Sequence, residues 1–284
     1  MVGDRPEFHH ETAKAILERF RSRGGHPLRG IRRETSPEII DLSPRRSFGS
    51  HDEHTWKNDD GTLNYDYERF LSDKIEKYPH QIFKRVCKDF PDRKPCPSFL
   101  NENERTWVLD YIFFQITRSP EYKSYVSSGG REDLIKKFLP EEKHLDLESN
   151  SEAELDNLWR YALFTMHMSS YKNPSGLLEK FRTWKVDWLW HQSDRLSLVI
   201  GSNSVVIEGK SINLLFEQKS YWLPISPNIL VGAIPPNFVV STNELSDDQI
   251  TGFNEVIFNR SDHFVMGDEQ MLTQLQETSA GDAT

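Results

Sequence analysis

The sequence has little cysteine and no long apolar run. Cys87 and Cys96 are its only cysteines among 284 residues. The stretch from Val108 to Ile116 is interrupted by Asp110 and is far shorter than the roughly 18 apolar residues that cross a bilayer. The first residues also lack the apolar run of a secretory signal. The sequence therefore predicts a cytoplasmic protein without a membrane span, in which both thiols are free.

Sequence motifs of two large enzyme classes are absent. No Gly-x-Ser-x-Gly segment is present, which excludes the nucleophile elbow of serine hydrolases. Gly209-Lys210-Ser211 imitates the end of a phosphate-binding loop, but Ser204 occupies the position of its first glycine. A Walker-type nucleotide site is therefore excluded.

Charge is distributed unevenly along a chain of net charge −9 with 12% aromatic residues, a composition typical of a folded protein. Between Arg19 and Arg46, eight arginines stand against three acidic residues. From Glu244 to the end, nine acidic residues stand against Arg260 alone. The acidic total argues against non-specific coating of nucleic acid. The arginine segment either forms one local basic patch or pairs with the acidic C-terminal third.

Helical periodicity dominates the first part of the chain, and short β-branched or aromatic runs follow it. Helices are predicted over 11–23, 65–89 with a kink at Pro79, 101–117, 152–169, 247–258 and 269–276. Strands are predicted between Trp184 and Val240 and over 264–266, with short strands around Ile31 and Ile39. The pattern predicts an α+β fold, with a helical N-terminal half packed on a mixed, mainly antiparallel sheet formed by the C-terminal half. We expect a single domain over 1–284, with a candidate subdomain boundary near 141–154 and a frayed tail over 278–284.

Two sets of residues are candidates for metal chemistry. His51-Asp-Glu-His54 places imidazoles and carboxylates in one loop, which either holds zinc or a harder divalent ion or is simply solvated. Glu208-x-Lys210 and Glu217-x-Lys219 have the Glu-x-Lys pattern of metal-dependent nucleases, or else are surface charges on strands. A divalent metal is therefore one cofactor that the sequence allows.

Several short segments occur together in an order and spacing typical of one family. They are His9-His10 before an apolar helix, Glu68 and Glu76 eight residues apart, Gln115-Ile-Thr-Arg118-Ser-Pro120, Val199–Val206, Leu223-Pro-Ile-Ser-Pro-Asn228, and Asn254. On these segments the chain, from about His9 to Phe258, resembles the mainly bacterial family catalogued as domain of unknown function 4238. It departs from that family at Glu11-Thr12, in place of Val-Pro, and at Asn203, in place of Asp. The resemblance implies a shared architecture and a shared polar pocket, without an assigned activity.

The residues of these segments suggest chemical roles. Gln115 and Arg118 are three residues apart and share a helix face, so Arg118 would direct its guanidinium fork at a phosphate or carboxylate. His10 would act as a general acid or base near neutral pH. Asn203 and Asn228 would donate hydrogen bonds to a developing oxyanion. The predicted catalytic set is His10, Gln115, Arg118 and Asn203, and the predicted ligand-binding set is His9, Glu68, Glu76 and Asn228. In the alternative interpretation, Arg118 caps its own helix and pairs with Glu68 or Glu76.

Two functions remain open. The first is an intracellular bacterial hydrolase or nuclease that acts on nucleic acid or a nucleotide in a phage-defence or toxin system. The second is a non-catalytic binding protein, either an immunity or a regulatory partner, whose acidic surface binds a basic protein. Charge reversal near Glu244, Asp247 and Asp248 would affect only the second.

Overall fold

The computed structural model describes the residues 9–10, 14–20, 28–32, 36–42, 49–50, 54–90, 100–119, 122, 124, 130–143, 151–174, 176–193, 195–207, 220–240, 242–261 and 264–281. The described helices are α1 (Lys14–Leu17, continued by a 3-10 turn Glu18–Phe20), α2 (Asp66–Phe70), a π-helix (Leu71–Glu76), α3 (Lys77–Asp89), α4 (Glu102–Thr117), α5 (Arg131–Phe138), a 3-10 turn (Glu141–Lys143), α6 (Glu152–Lys172), α7 (Leu177–Arg182), α8 (Asp247–Arg260) and α9 (Glu269–Gly281).

The described strands are β1 (His9–His10), β2 (Leu28–Arg32), β3 (Ser36–Leu42), β4 (Gly49–Ser50), β5 (Trp56–Lys57), β6 (Leu63–Asn64), β7 (Lys185–Trp190), β8 (Ile200–Gly201), β9 (Val206–Ile207), β10 (Tyr221–Ser226), β11 (Ile229–Ile234) and β12 (Phe264–Gly267). They form two four-stranded sheets, with the orders β7-β11-β10-β9 and β3-β2-β12-β8, and the two-stranded pairs β1-β4 and β5-β6. Every pair of neighbouring strands within these sheets is antiparallel.

The α+β class that the sequence predicts is confirmed. The strands expected near Ile31 and Ile39 are present as β2 and β3. They belong to a sheet that also contains C-terminal residues, because β2 pairs with β12 from the other end of the chain. The predicted single sheet is therefore two sheets, and the second is built from both ends of the sequence.

Polar N-terminal caps explain where three of the longer helices begin. Asn101 with Glu104, Ser151 with Glu154 and Ser246 with Gln249 each form a capping box, in which side chain and backbone satisfy each other's hydrogen bonds. The sequence predicts a kink at Pro79. The structure instead has a π-helix that ends at Glu76, and Pro79 lies in the first turn of α3. Pro79 has no N–H to donate to Ile75, and the chain widens into π turns just before it.

The sheet β7-β11-β10-β9 forms the middle layer of the fold, and every residue of β10 and β11 is buried. Tyr221, Leu223 and Ile225 on one face join the apolar cluster of α2, α3, α4 and the π-helix. Trp222 and Leu230 on the other face join the cluster of α8, α9 and the second sheet. Because successive strand residues point to opposite faces, this sheet is apolar on both sides.

The remaining domain predictions concern segments that the structure describes only in part. Residues 144–150 of the candidate boundary lie outside the described residues. The terminal helix α9 continues to Gly281, past Thr278, where fraying is predicted. Cys87 is a free thiol, whereas Cys96 is outside the described residues. In the described part of the chain, no helix combines the length and the apolar character needed to cross a membrane.

We expect Gly232→Ala to destabilise the protein, because Gly232 lies opposite Trp222 in the β10-β11 ladder. An added Cβ would lie 2.4 Å from Cζ3 of the buried Trp222 ring, and such overpacking costs about 1–3 kcal/mol. Gly252→Ala in α8 is the matched control, because no described atom beyond its chain neighbours and its own helix backbone lies within 4 Å of the added Cβ. The control should gain up to about 1 kcal/mol from helix propensity. Urea denaturation of both variants measures these changes, and equal stability of the two would contradict the packing argument.

Candidate functional site

Glu68 and Glu76 are brought to one side of their helix by the π-helix between them. In a uniform α-helix, eight residues turn through about 800°, which separates two side chains by about 80°. A π turn contains about one residue more than an α turn, so the same eight residues turn through about 700° and end within about 20° of alignment. Single π turns inside helices are frequent at functional sites. The π-helix therefore directs the carboxylates of Glu68 and Glu76 to the same side.

Arg118 caps the C-terminus of α4 and is almost completely buried, with a relative exposure of 2%. Its Nη1 donates to Oε1 of Glu76 at 2.8 Å. Burial acts to lower the pKa of Arg118, but the charge and hydrogen bond of Glu76, together with the charge of Glu68, leave it above its usual value. The sequence allowed two interpretations of Arg118, and this arrangement is the second one, in which Arg118 pairs with a glutamate. An anionic ligand at Arg118 would have to compete with Glu76.

Glu68 is bonded to a histidine that the sequence assigned to a metal-type loop. Nδ1 of His54 lies 3.1 Å from Oε2 of Glu68. His54 has 2% side-chain exposure, whereas Glu68 has 25%. The imidazole is thus a buried support, and the carboxylate is the member of the pair that meets solvent.

The metal predictions concern this loop and the two Glu-x-Lys segments. Among the described residues, no three His, Cys, Asp or Glu side chains are placed to hold one metal ion. His51, Asp52 and Glu53 lie outside the described residues, as do the side chains of His9 and His10 and the Glu-x-Lys segments at 208–210 and 217–219.

Behind the His54–Glu68 pair lies a second buried histidine. The hydroxyl of Tyr67 forms a short hydrogen bond with Nδ1 of His167, and both residues are buried. The rings of His54 and Tyr67 are 5.0 Å apart, and Phe114 lies edge-on to His167 at 5.1 Å. Aromatic packing therefore fixes the position of the polar groups behind Glu68.

Tyr111, His80 and Arg19 form the other flank of the Glu76–Arg118 pair. Nε2 of His80 is 3.5 Å from the buried hydroxyl of Tyr111. Burial lowers the pKa of His80 to about 4, so the imidazole is neutral at pH 7. Burial also raises the pKa of Tyr111 well above its usual value, which keeps the phenol protonated. Nη2 of Arg19 donates to the backbone oxygen of His80 at 3.0 Å.

Gln115 and Asn203 meet at a separate small cavity. It has a volume of about 10 Å³ and is lined by the polar residues Gln115, Ser119, Asn203 and Arg260, together with Ile116, Val205 and Ile207. The side-chain amide of Asn203 donates to the backbone oxygen of Arg260. Gln115 and Asn203 are buried, with 4% and 5% exposure. Gln115 thus faces this cavity from the last turn of α4, the helix that Arg118 caps.

The predicted site residues therefore fall into separate groups. Glu68, Glu76 and Arg118 form one group, and Gln115 with Asn203 forms another. Asn228 lies in the β10-β11 turn, where its backbone bonds to Ser226 and His191. The backbone of His9 and His10 pairs with Ser50 and Gly49 in β4. Ser50 is four residues before His54 in the chain, so the Cα atoms of these two residues are at most about 14 Å apart.

Sequence reasoning missed five residues of this site: Arg19, Tyr67, His80, Tyr111 and His167. Spacing carried a signal for two of them, because His80 follows Glu76 by four residues and Tyr111 precedes Arg118 by seven, both helical repeats. Arg19 and His167 are distant in sequence from their partners, so nothing in the local pattern indicates them.

No family model, curated protein or solved structure matches the chain. The functional argument therefore depends on the geometry of this site.

We expect His80 to make stability depend on pH. Its folded pKa of about 4 is below the ordinary 6.5, so on acidification the unfolded chain takes up a proton before the folded one does. Stability is then lost as pH falls from 6.5 towards 4. Between pH 7 and 5 the wild type should lose about 2 kcal/mol more than His80→Gln. Denaturation at both pH values measures this difference, and equal losses would show that His80 is not buried as a neutral group.

The Glu76–Arg118 pair should behave as a strongly coupled unit. Glu76→Gln leaves the Arg118 charge buried without its carboxylate, which should cost about 3–5 kcal/mol. The double variant Glu76→Gln/Arg118→Met should be more stable than the sum of the two single losses indicates. Glu132→Gln is the control, since Glu132 pairs with Lys136 on the exposed surface and should change stability by about 0.5 kcal/mol or less. If the double variant loses as much stability as the two single variants together, Glu76 and Arg118 are not coupled.

Proposed function

We propose that this chain is a hydrolase that acts on nucleic acid or a nucleotide, with Glu68 as its general base. The observation that carries the proposal is the His54–Glu68 pair, in which a solvent-reaching carboxylate is held by a buried imidazole at 3.1 Å. A fixed carboxylate that water can reach is the requirement for activating that water.

The neighbouring charges support this role. Arg118 acts electrostatically on Glu68 as well as on Glu76, so its positive charge offsets the negative charge of the base. Glu76 in turn fixes the position of Arg118. The ring of Tyr67 packs against His54, and the hydrogen bond from His54 limits the rotation of the Glu68 carboxylate. Such preorganisation keeps a catalytic group in place without a reorganisation cost during the reaction.

The chemical step follows from these positions. Glu68 takes a proton from a water molecule while the water oxygen bonds to the phosphorus of a phosphoester. The bond between phosphorus and the leaving oxygen breaks, and the leaving oxygen takes up a proton from solvent. The buried, neutral His80 does not take part in this transfer near pH 7.

The relationship to the family catalogued as domain of unknown function 4238 is also a proposal. It is supported by the ion pair between Glu76 and Arg118, which come from two of the segments that carry the resemblance. We further propose a cytoplasmic setting, in a phage-defence or toxin system. The free thiol of Cys87 is compatible with that setting.

The test is Glu68→Gln, which keeps the size of the side chain and removes its basicity. Hydrolysis is measured on labelled single-stranded RNA, single-stranded DNA and ATP, each with and without Mg²⁺. We expect kcat/KM on the accepted substrate to fall about 100-fold or more, with an unchanged melting temperature. Glu132→Gln should retain activity, because Glu132 lies on the exposed surface of α5.

An inactive wild type on all three substrates, or an active Glu68→Gln variant, would reject the hydrolase. The alternative is a binding protein with an acidic surface. Asp247 and Asp248 lie in the first turn of α8, where acidic side chains also stabilise the helix N-terminus. Loss of a co-purifying basic protein in Asp247→Lys/Asp248→Lys would favour the binding protein.

A further inference from the structure

We propose that Arg19, not Arg118, is the group that binds the anionic part of a ligand at this site, and that the anion is a phosphate. The choice of phosphate rests on the function proposed above. The assignment of Arg19 as an anion-binding residue rests on the surroundings of its guanidinium.

The guanidinium of Arg19 is held in place by a backbone oxygen and an aromatic ring. Nη2 donates to the backbone oxygen of His80 at 3.0 Å, and the guanidinium carbon lies 5.8 Å from the centre of the Phe83 ring. Nη1 is buried, and no group of the described residues accepts a hydrogen bond from it. Across the described residues, no acidic side chain forms a salt bridge with Arg19.

Three other arginines of the fold have carboxylate partners. Arg118 pairs with Glu76, and Arg182 makes two hydrogen bonds to the buried Asp110 at 2.6 and 2.7 Å. Arg131 pairs with Glu152 and Asp156. A guanidinium stays charged in proteins, and a buried charge needs a compensating partner. An anionic ligand would supply that partner for Arg19.

The surroundings of Arg19 favour an anion with several oxygens. The charges of Arg19 and Arg118 both act on His80, whose Nε2 lies 3.5 Å from the hydroxyl of Tyr111. A second positive charge therefore lies in the same part of the site as Arg19. The planar fork of a guanidinium matches the spacing of phosphate oxygens. Nη1 of Arg19 provides the unused donor for such an oxygen.

The position of Arg19 in the chain connects two features of the sequence. It belongs to the 3-10 turn Glu18–Phe20, shortly after the His9-His10 segment. It is also the first arginine of the basic stretch that ends at Arg46. The fold thus directs one arginine of that stretch inward, against α3, at the Tyr111 flank of the site.

The experiment measures binding without turnover on the full chain. Isothermal titration and thermal shift are recorded with inorganic phosphate, AMP and acetate, in chloride buffers of equal ionic strength. We expect phosphate or AMP to raise the melting temperature of the wild type, and Arg19→Met to weaken the affinity at least ten-fold. Without ligand, Arg19→Met should be about as stable as the wild type, because it removes a partly buried charge that has no carboxylate partner among the described residues.

Arg29→Met is the matched control, since Arg29 lies on the surface and pairs with Asp41 and Glu269. It should bind phosphate as the wild type does. If Arg19→Met does not fold, Arg19→Lys takes its place, because it keeps the charge and loses the fork; it should bind phosphate more weakly than the wild type. Stabilisation by acetate alone would assign a carboxylate ligand and overturn the phosphate proposal.

Wild-type affinity in the Arg19 variant, or no response of the wild type to phosphate or AMP, would overturn the inference. Its failure is separable from that of the hydrolase. Glu68→Gln should bind phosphate at least as tightly as the wild type, because it removes a negative charge from the site, while it loses hydrolysis. If the wild type binds phosphate but hydrolyses none of the test substrates, the hydrolase proposal is rejected and the Arg19 proposal is supported.

Discussion

The buried ion pair between Glu76 and Arg118 organises the candidate site. A guanidinium at the C-terminus of α4, with 2% exposure, needs a carboxylate close by. The π-helix supplies it, because its extra residue turns Glu76 to the same side as Glu68. The pair therefore joins two helical segments at one point. His80, Tyr111 and the His54–Glu68 pair are arranged around that point.

The rest of the fold holds α4 in a fixed position. All of its residues from Val108 to Thr117 are buried, because the helix lies between α3 on one side and the middle sheet on the other. That sheet is itself covered on both faces. The end of α4 thus presents Arg118 towards the helical layer and Gln115 towards the cavity shared with Asn203. A rigid helix end with two differently lined sides suits precise placement of polar groups.

The charges of the site are divided among distinct tasks. Glu76 neutralises Arg118, so this pair stabilises and positions its neighbours. Glu68 reaches solvent and is supported by a buried imidazole, which is the arrangement of a base. Arg19 enters from the N-terminal helical turn and has no carboxylate among the described residues. The carboxylate that would activate water and the cation that would hold an anion thus come from separate segments of the chain.

The sequence by itself determined the local elements. Helical spacing and β-branched runs predict the α+β class, because these signals act between residues close in the chain. The short segments that carry the family resemblance singled out Glu68, Glu76, Gln115 and Arg118. Only the tertiary structure decided that β2 pairs with β12, that Arg118 faces Glu76 while Gln115 faces Asn203, and that Arg19 reaches His80. These contacts join residues far apart in sequence, and they depend on how whole layers pack, which no local pattern encodes.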